Sequence, residues 1–388
     1  AEVQAGLEPG TLLLAYFLGS ESGYLWALDR NRFSVHRLPP GAAIEASARR
    51  LHDLLSAGHK TGFAAQATLP ARALSDSILQ PVAARLAQAR RLIIIPDGAL
   101  HYVPFSILPH PRTGERMLAS HPITYTGSAA VLDALRMRGA SRQAAAKTLL
   151  VVADPAFTPG EARAPPATHP AATHSANVAG ASMSTLARAA RAFDLADVPP
   201  LPFSRREAES ILNLIPGPQS HALLGPEATA EAIQQAPLRH YRILHIATHG
   251  LLNDRQPELS GLILARSPAG DTLQPTLLRV PEIRRLELRA ELVVLSACRT
   301  ALGREILGEG LVGLPQAFLD AGAQRVLVSL WNVHDQATAT LMQRFYEHLL
   351  RDEIPAQEAL RRAQRTVAGM PRWSSPFFWA GFVLIGEP

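Results

Sequence analysis

One cysteine, Cys298, is the whole thiol content of this 388-residue chain. No disulfide can form within it, which suits a reducing compartment and predicts a cytoplasmic protein. Lysine is nearly as scarce. Only Lys60 and Lys147 occur, so the net charge of +5 is carried by arginine. The arginines are scattered among acids, with no basic run and no basic face interleaved with aromatics, which argues against a nucleic-acid partner. No apolar run approaches the roughly 18 residues that a membrane span needs, and no basic-then-apolar leader opens the chain. No membrane partner is expected. Solenoid-period repeats are absent from the sequence. An N-terminal Ala1 in place of Met fits a fragment or a processed chain with domains upstream of it.

What is present is an apolar content of 47% against 18% charge, enough for one large or two moderate globular cores. Residues 11–38 alternate as antiparallel strands, and residues 1–70 read as a strand and helix extension. Helical periodicity follows at 41–57 and 71–90. Leu92–Ile95 and Leu149–Ala153 are short continuous apolar runs closed by Pro-Asp or Asp-Pro, the pattern of strands buried on both faces. They place a first α/β half at 71–154. Residues 155–203 form a linker; its Pro- and Ala-rich part, 155–200, holds seven prolines and little apolar periodicity. A second half, 204–388, opens at Ser204-Arg-Arg-Glu207, a capping box predicting a helix through Leu214. Strand-like runs follow at 241–248, 261–265, 291–297, 325–330 and 382–385, with helical stretches at 311–321, 335–351 and 355–368. Alternating buried strands and helices predict an α/β fold with a mostly parallel, doubly wound sheet, which holds ligands at the carboxyl ends of its strands.

Two such ends carry reactive groups. One run ends in His249-Gly250 and another, 49 residues on, in Leu-Ser-Ala-Cys298. An imidazole near a thiol lowers the thiol pKa and later protonates a leaving group, so the pair suits nucleophilic catalysis. A zinc pair from His245 and His249 is disfavoured, because on a strand the two lie about 13 Å apart while zinc needs both nitrogens near 2 Å. His245 reads as a hydrogen-bonded core histidine, and no metal or other cofactor is expected. Gly250 lets the backbone approach a substrate, and its amide with that of Cys298 can donate to an oxyanion. Glycines at 303, 308, 310 and 313 suggest a mobile loop beside the cleft. Asp335 precedes a long amphipathic helix and reads first as an N-cap; a carboxylate facing a basic substrate side chain is the second reading, and the two can coexist.

Several segments, in this order and spacing, resemble the CHAT family of caspase-like, separase-related (clan CD) cysteine peptidases. They include Ile94-Ile-Pro-Asp-Gly-Ala-Leu-His-Tyr-Val-Pro-Phe-Ser-Ile-Leu108, Ile123-Thr-Tyr-Thr-Gly-Ser-Ala-Ala-Val-Leu132 and His245-Ile-Ala-Thr-His-Gly250. Leu295-Ser-Ala-Cys-Arg-Thr-Ala-Leu-Gly303, Gly308-Glu-Gly310, Ser329-Leu-Trp331 with Asp335, and Pro376–Gly386 complete the set. The resemblance, from about residue 75 to the C-terminus, implies a caspase-like fold with a His249–Cys298 dyad and the Gly250 and Cys298 amides as oxyanion donors. It also implies a cysteine endopeptidase acting on a protein substrate, with Asp335 matching the separase acid that binds Arg before the scissile bond. Here His334 precedes that acid and alters its surroundings. Separase-like enzymes pair an inactive caspase-like half with an active one, which suits the strands at 92–95 and 149–153. Family members often carry tetratricopeptide repeats that bind gating partners, so a regulatory protein or repeat domain is expected. The alternative is a catalytically silent caspase-like interaction module.

Overall fold

The computed structural model describes residues 2–58, 66–140, 142–157, 198, 200–251, 257–269, 272–296, 304–306 and 310–388. Its frame is an 11-stranded sheet. The strands of the first part are β1 (Thr11–Leu18), β2 (Gly23–Leu28), β3 (Phe33–Leu38), β4 (Arg91–Ile95), β5 (Ile123–Tyr125), β6 (Lys147–Pro155) and β7 (Ser220–Gly225). Then come β8 (Tyr241–Ala247), β9 (His249–Leu251), β10 (Gly261–Ala269), β11 (Thr272–Arg279), β12 (Leu292–Leu295), β13 (Arg304–Ile306), β14 (Gly310–Val312), β15 (Arg325–Ser329) and β16 (Phe382–Gly386). The large sheet runs β3-β2-β1-β4-β5-β16-β15-β12-β8-β6-β7, while β9, β10 and β11 form a second sheet and β13 and β14 a hairpin.

Pairing in the large sheet is antiparallel only at β1–β2, β2–β3 and β15–β16. The expected mostly parallel α/β sheet with antiparallel strands at its start is what forms. The continuous apolar runs behave as their composition dictates: all four residues of β12 are buried, as are Leu92 to Ile94 in β4. Because β16 runs against β15, strand direction reverses there. The carboxyl ends of β15, β12, β8, β6 and β7 therefore share one edge of the sheet, opposite to those of β4 and β5.

Several boundaries differ from expectation. The run at 149–153, assigned from sequence to the first half, pairs with β8 and β7, in the set that carries His249. A continuous apolar run reports burial, not the identity of its neighbours. The single helix expected over 71–90 is instead α3 (Thr68–Ile78), a 3-10 turn at Gln80–Val82 and one further turn, because Pro81 supplies no backbone donor. The stretch 311–321 splits at Gly313 into the end of β14 and a helix over Leu314–Asp320. Strands β5, β7 and β11 were not anticipated.

Helices close the core with one apolar stripe each. In α2 (Gly41–Ser56) the buried positions are Gly41, Ile44, Ala48, Leu51 and Leu55, a 3.6-residue period. Trp331, just after β15, is fully buried; its Nε1 donates to the Phe377 carbonyl at 3.0 Å, and Gly381 lies so close that a Cβ there would sit 2.9 Å from the indole. Trp331→Ala is expected to cost about 3–5 kcal/mol through cavity and lost hydrogen bond. Leu69→Ala, on a side chain 80% exposed, should stay within about 0.5 kcal/mol. Thermal and urea unfolding of both variants check this; equal effects would contradict the packing.

Candidate active site

The carboxyl ends of β6, β8, β12 and β15 deliver Asp154, Thr248 and His249, Ser296, and the segment from Leu330 to Asp335 to one edge. The chain leaves β8 at Thr248, which is 1% exposed and whose hydroxyl donates to the Ile263 carbonyl. That anchor turns the backbone out of the large sheet and into β9, where His249 pairs with Ile263 and Gly250 with Leu262. His249 thus opens a short strand of its own. It is half-buried, with its ring 5.6 Å from that of Phe157. Phe157, Ile263 and Val198 form a small apolar cluster there, with Leu251 and Leu277 packed against it.

On the neighbouring strand, the Ser296 amide donates to the Ile246 carbonyl at 2.9 Å, which extends the parallel ladder one residue past β12. Cys298, with its proposed oxyanion amide, lies outside the described residues. Of the Gly-rich stretch 302–310, only Arg304–Ile306 and Gly310 are described, within the antiparallel hairpin of β13 and β14.

His245 occupies the core, as a hydrogen-bonded histidine should. Its Nδ1 lies 3.1 Å from the Tyr346 hydroxyl, and its Nε2 lies 3.0 Å from Glu207 Oε1. Neither of those two atoms makes a hydrogen bond, so the contact is a close approach of ring and carboxyl. Glu207 belongs to a helix, α5 (Pro202–Leu212), and Tyr346 to α7 (Asp335–Tyr346), with the helices α4 (Ala129–Ala140) and α6 (Leu314–Asp320) between them in the numbering. The capping box expected at Ser204 does not form. The helix starts at Pro202, Ser204 donates back to the Leu201 carbonyl, and Glu207 turns inward at 2% exposure. Proline at the first position is already suited to a helix start, so the box is not needed. Glu207 was missed as an internal acid although its position was readable: Ser204, Glu207, Ala208 and Ile211 share the buried stripe of α5.

Asp335 is not the N-cap of α7. His334 is: its Nδ1 accepts from the Ala337 amide at 3.3 Å. Burial lowers the His334 pKa, which keeps that nitrogen unprotonated and able to accept. Asp335 sits in the first turn, where its Oδ2 accepts from the Phe203 amide at 3.0 Å. Burial pushes its pKa up to about 6; the Phe203 hydrogen bond opposes this, and the nearby Glu207 charge adds to it. One helix, α5, therefore supplies both the donor that holds Asp335 and the charge that disfavours its ionisation. Arg205 of α5 also pairs with Asp154 at 2.7 Å, tying the helix to the end of β6.

The sign of the resulting pH dependence follows from the raised pKa. Asp335 titrates near 6 when folded and near 3.8 when unfolded, so the unfolded chain releases this proton first. The group's contribution to stability falls between those values and stays low above them. Asp335→Asn keeps an acceptor for Phe203 and removes the charge. It should stabilise the protein by about 1–3 kcal/mol at pH 8, with most of the gain gone at pH 4. Thermal unfolding against pH checks this; a loss of stability at pH 8 would contradict it.

Comparison with known proteins fits this architecture. The CHAT domain family model matches residues 68–387. Tetratricopeptide repeat protein 28 is 28% identical in mouse and 27% in human, over 359 aligned residues covering 82% of this chain and 13% of theirs. The chain thus spans about an eighth of the length of these curated relatives. Among solved structures, the Saccharomyces cerevisiae separase–securin complex aligns with a TM-score of 0.59 and 11% identity, over 100% of this chain and 30% of that one. The Arg-specific cysteine proteinase gingipain R (RgpB) aligns with a TM-score of 0.51 and 11% identity, over 81% of this chain and 67% of that one. With its family model spanning most of its length and its sheet matching these peptidase folds, the chain belongs to the CHAT-domain family and has a caspase-like α/β fold.

Proposed function

We propose that this chain is a cysteine endopeptidase with His249 and Cys298 as its catalytic dyad. One observation carries the reading. Strands β8 and β12 are parallel neighbours in a register that pairs Ile243 with Leu292 and Ile246 with Leu295, an offset of 49 residues. His249 and Cys298 are separated by the same 49 residues. The Cys298 thiolate attacks the scissile carbonyl carbon, and the amides of Gly250 and Cys298 hold the oxyanion. His249 gives its proton to the leaving amine as the C–N bond breaks. It then takes one from the water that attacks the thioester, and the C–S bond breaks to release the acid and restore the thiolate beside a protonated imidazole.

Asp335 is the proposed acid that receives an Arg or Lys side chain before the cut. Its carboxyl is held by Phe203 and raised to about 6, so it binds a guanidinium best when ionised above that pH. Strands β4 and β5 are proposed to belong to an inactive half, and a reducing compartment such as the cytoplasm would keep the nucleophile free. The curated relatives are tetratricopeptide repeat proteins, which supports gating by a repeat domain or a regulatory protein.

Cys298→Ala and His249→Ala should each abolish cleavage of a peptide library and labelling by an electrophilic peptide probe. Continued cleavage by Cys298→Ala sinks the mechanism; no cleavage or labelling under any condition returns the chain to a silent interaction module. For the acid, wild type should cleave after Arg with a rate that climbs through about pH 6, and Asp335→Asn should lose that preference while remaining folded. A preference for apolar residues, unchanged in the variant, leaves Asp335 a structural role only.

A further inference from the structure

The first three strands are amphipathic in a way the fold does not use up. Their inward side chains, Leu12, Leu14, Tyr16, Leu25, Ala27 and Leu38, are buried in the main core. An antiparallel meander with one face packed normally shows polar residues on the other. Here the outward face is apolar and aromatic. Phe17 is 43% exposed, Tyr24 37%, Phe33 57% and Val35 49%, and Trp26 is half-buried between them.

These side chains form one patch. Phe17 is directly opposite Tyr24, Trp26 is opposite both Ala15 and Val35, and Leu28 is opposite Phe33. The Trp26 ring lies 6.5 Å from that of Phe17 and 6.4 Å from that of Tyr24. Contiguous exposed apolar surface of this kind marks an interaction site more often than chance exposure does. The patch reaches β3, the outermost strand of the sheet among the described residues.

The same face shows what kind of element covers it. Further along, at β1 and β4, Leu13 and Ile93 point to this side and are sealed by Leu7, which follows α1 (Glu2–Ala5), and by Leu132 of α4. Leu28, at the border of the patch, already packs against that cluster. The covering layer is helical where it exists, and it stops short of β2 and β3. The charge around the open part is mostly positive: Arg37 stands on the face opposite Tyr24, and Arg30 and Arg32 are exposed at the β2–β3 turn, against Glu21 at the β1–β2 turn. Asp29, the acid in that turn, is taken by Arg85 at 2.5 Å. A second copy pairing by two-fold symmetry would set these arginines against themselves.

We propose that the outward face of β1–β3 docks an amphipathic α-helix of a partner protein, its apolar stripe on Phe17, Tyr24, Trp26, Phe33 and Val35 and its acidic flank against Arg37, Arg30 and Arg32. The helix extends the layer begun by α1 and α4. This assignment is independent of the peptidase chemistry, because none of these residues takes part in it.

Three fluorescein-labelled synthetic helices of 20 residues test it against the full chain by anisotropy: one with a leucine stripe flanked by glutamates, one flanked by lysines, and one of scrambled glutamate sequence. The glutamate-flanked helix should bind saturably and weaken with salt. Phe33→Ser combined with Val35→Ser should reduce its affinity at least about tenfold, with an unchanged thermal midpoint because both side chains are exposed. Tyr24→Ser serves as a second variant should the pair perturb folding. Absence of binding, equal binding of the lysine-flanked or scrambled helix, or indifference to the substitutions overturns the proposal. So does a patch-dependent dimer in light scattering, or patch-dependent binding to phosphatidylserine vesicles in place of the helix, since either assigns the face to a different occupant.

Discussion

Parallel pairing among β15, β12, β8, β6 and β7 is the constraint on which the candidate site depends. Each strand in a parallel set must return by a crossover to the same starting edge, so all of their carboxyl ends emerge together. Residues as far apart in sequence as Asp154, His249, Ser296 and Asp335 reach one edge for that reason alone. The reversal at β15–β16 limits the set. Strand β4 is built from an equally apolar run, yet opens with β5 at the other edge.

Behind that edge lies a small polar core that an apolar sheet would not be expected to hold. Glu207, His245 and Tyr346 are all fully or almost fully buried, and they come from α5, β8 and α7. Burying an acid beside an imidazole and a phenol is costly; the His245–Tyr346 hydrogen bond and the approach of Glu207 to His245 bring the two helices together on the strand. Burial and the Glu207 charge both hold the Tyr346 hydroxyl in its protonated form, in which it can also donate. The same charge reaches Asp335. One buried acid therefore acts on both Tyr346 in the core and Asp335 at the edge.

Three of the site's supporting contacts each have a backbone group as one partner. Thr248 holds the Ile263 carbonyl, the Ser296 amide bonds Ile246, and Phe203 gives its amide to Asp335. The Ser296 bond depends only on where two strands meet, while the other two also need the Thr248 hydroxyl and the Asp335 carboxyl.

Sequence alone determined the fold class, because continuous apolar runs such as Leu292–Leu295 have no stable place except a strand covered on both faces. It also determined the family, through motifs whose order and spacing survive where overall identity does not, and the core position of His245. Tertiary structure decided the rest. Which strand neighbours which is invisible in composition, so the run at 149–153 moved beside β8. Capping depends on local backbone direction, so Pro202 displaced the expected box and His334 took the cap from Asp335. Glu207 was legible as a position on the buried stripe of a helix, yet only the meeting of α5, β8 and α7 showed what it faces. The pKa of Asp335, too, arises from burial between segments more than a hundred residues apart, and no local pattern encodes such a distance.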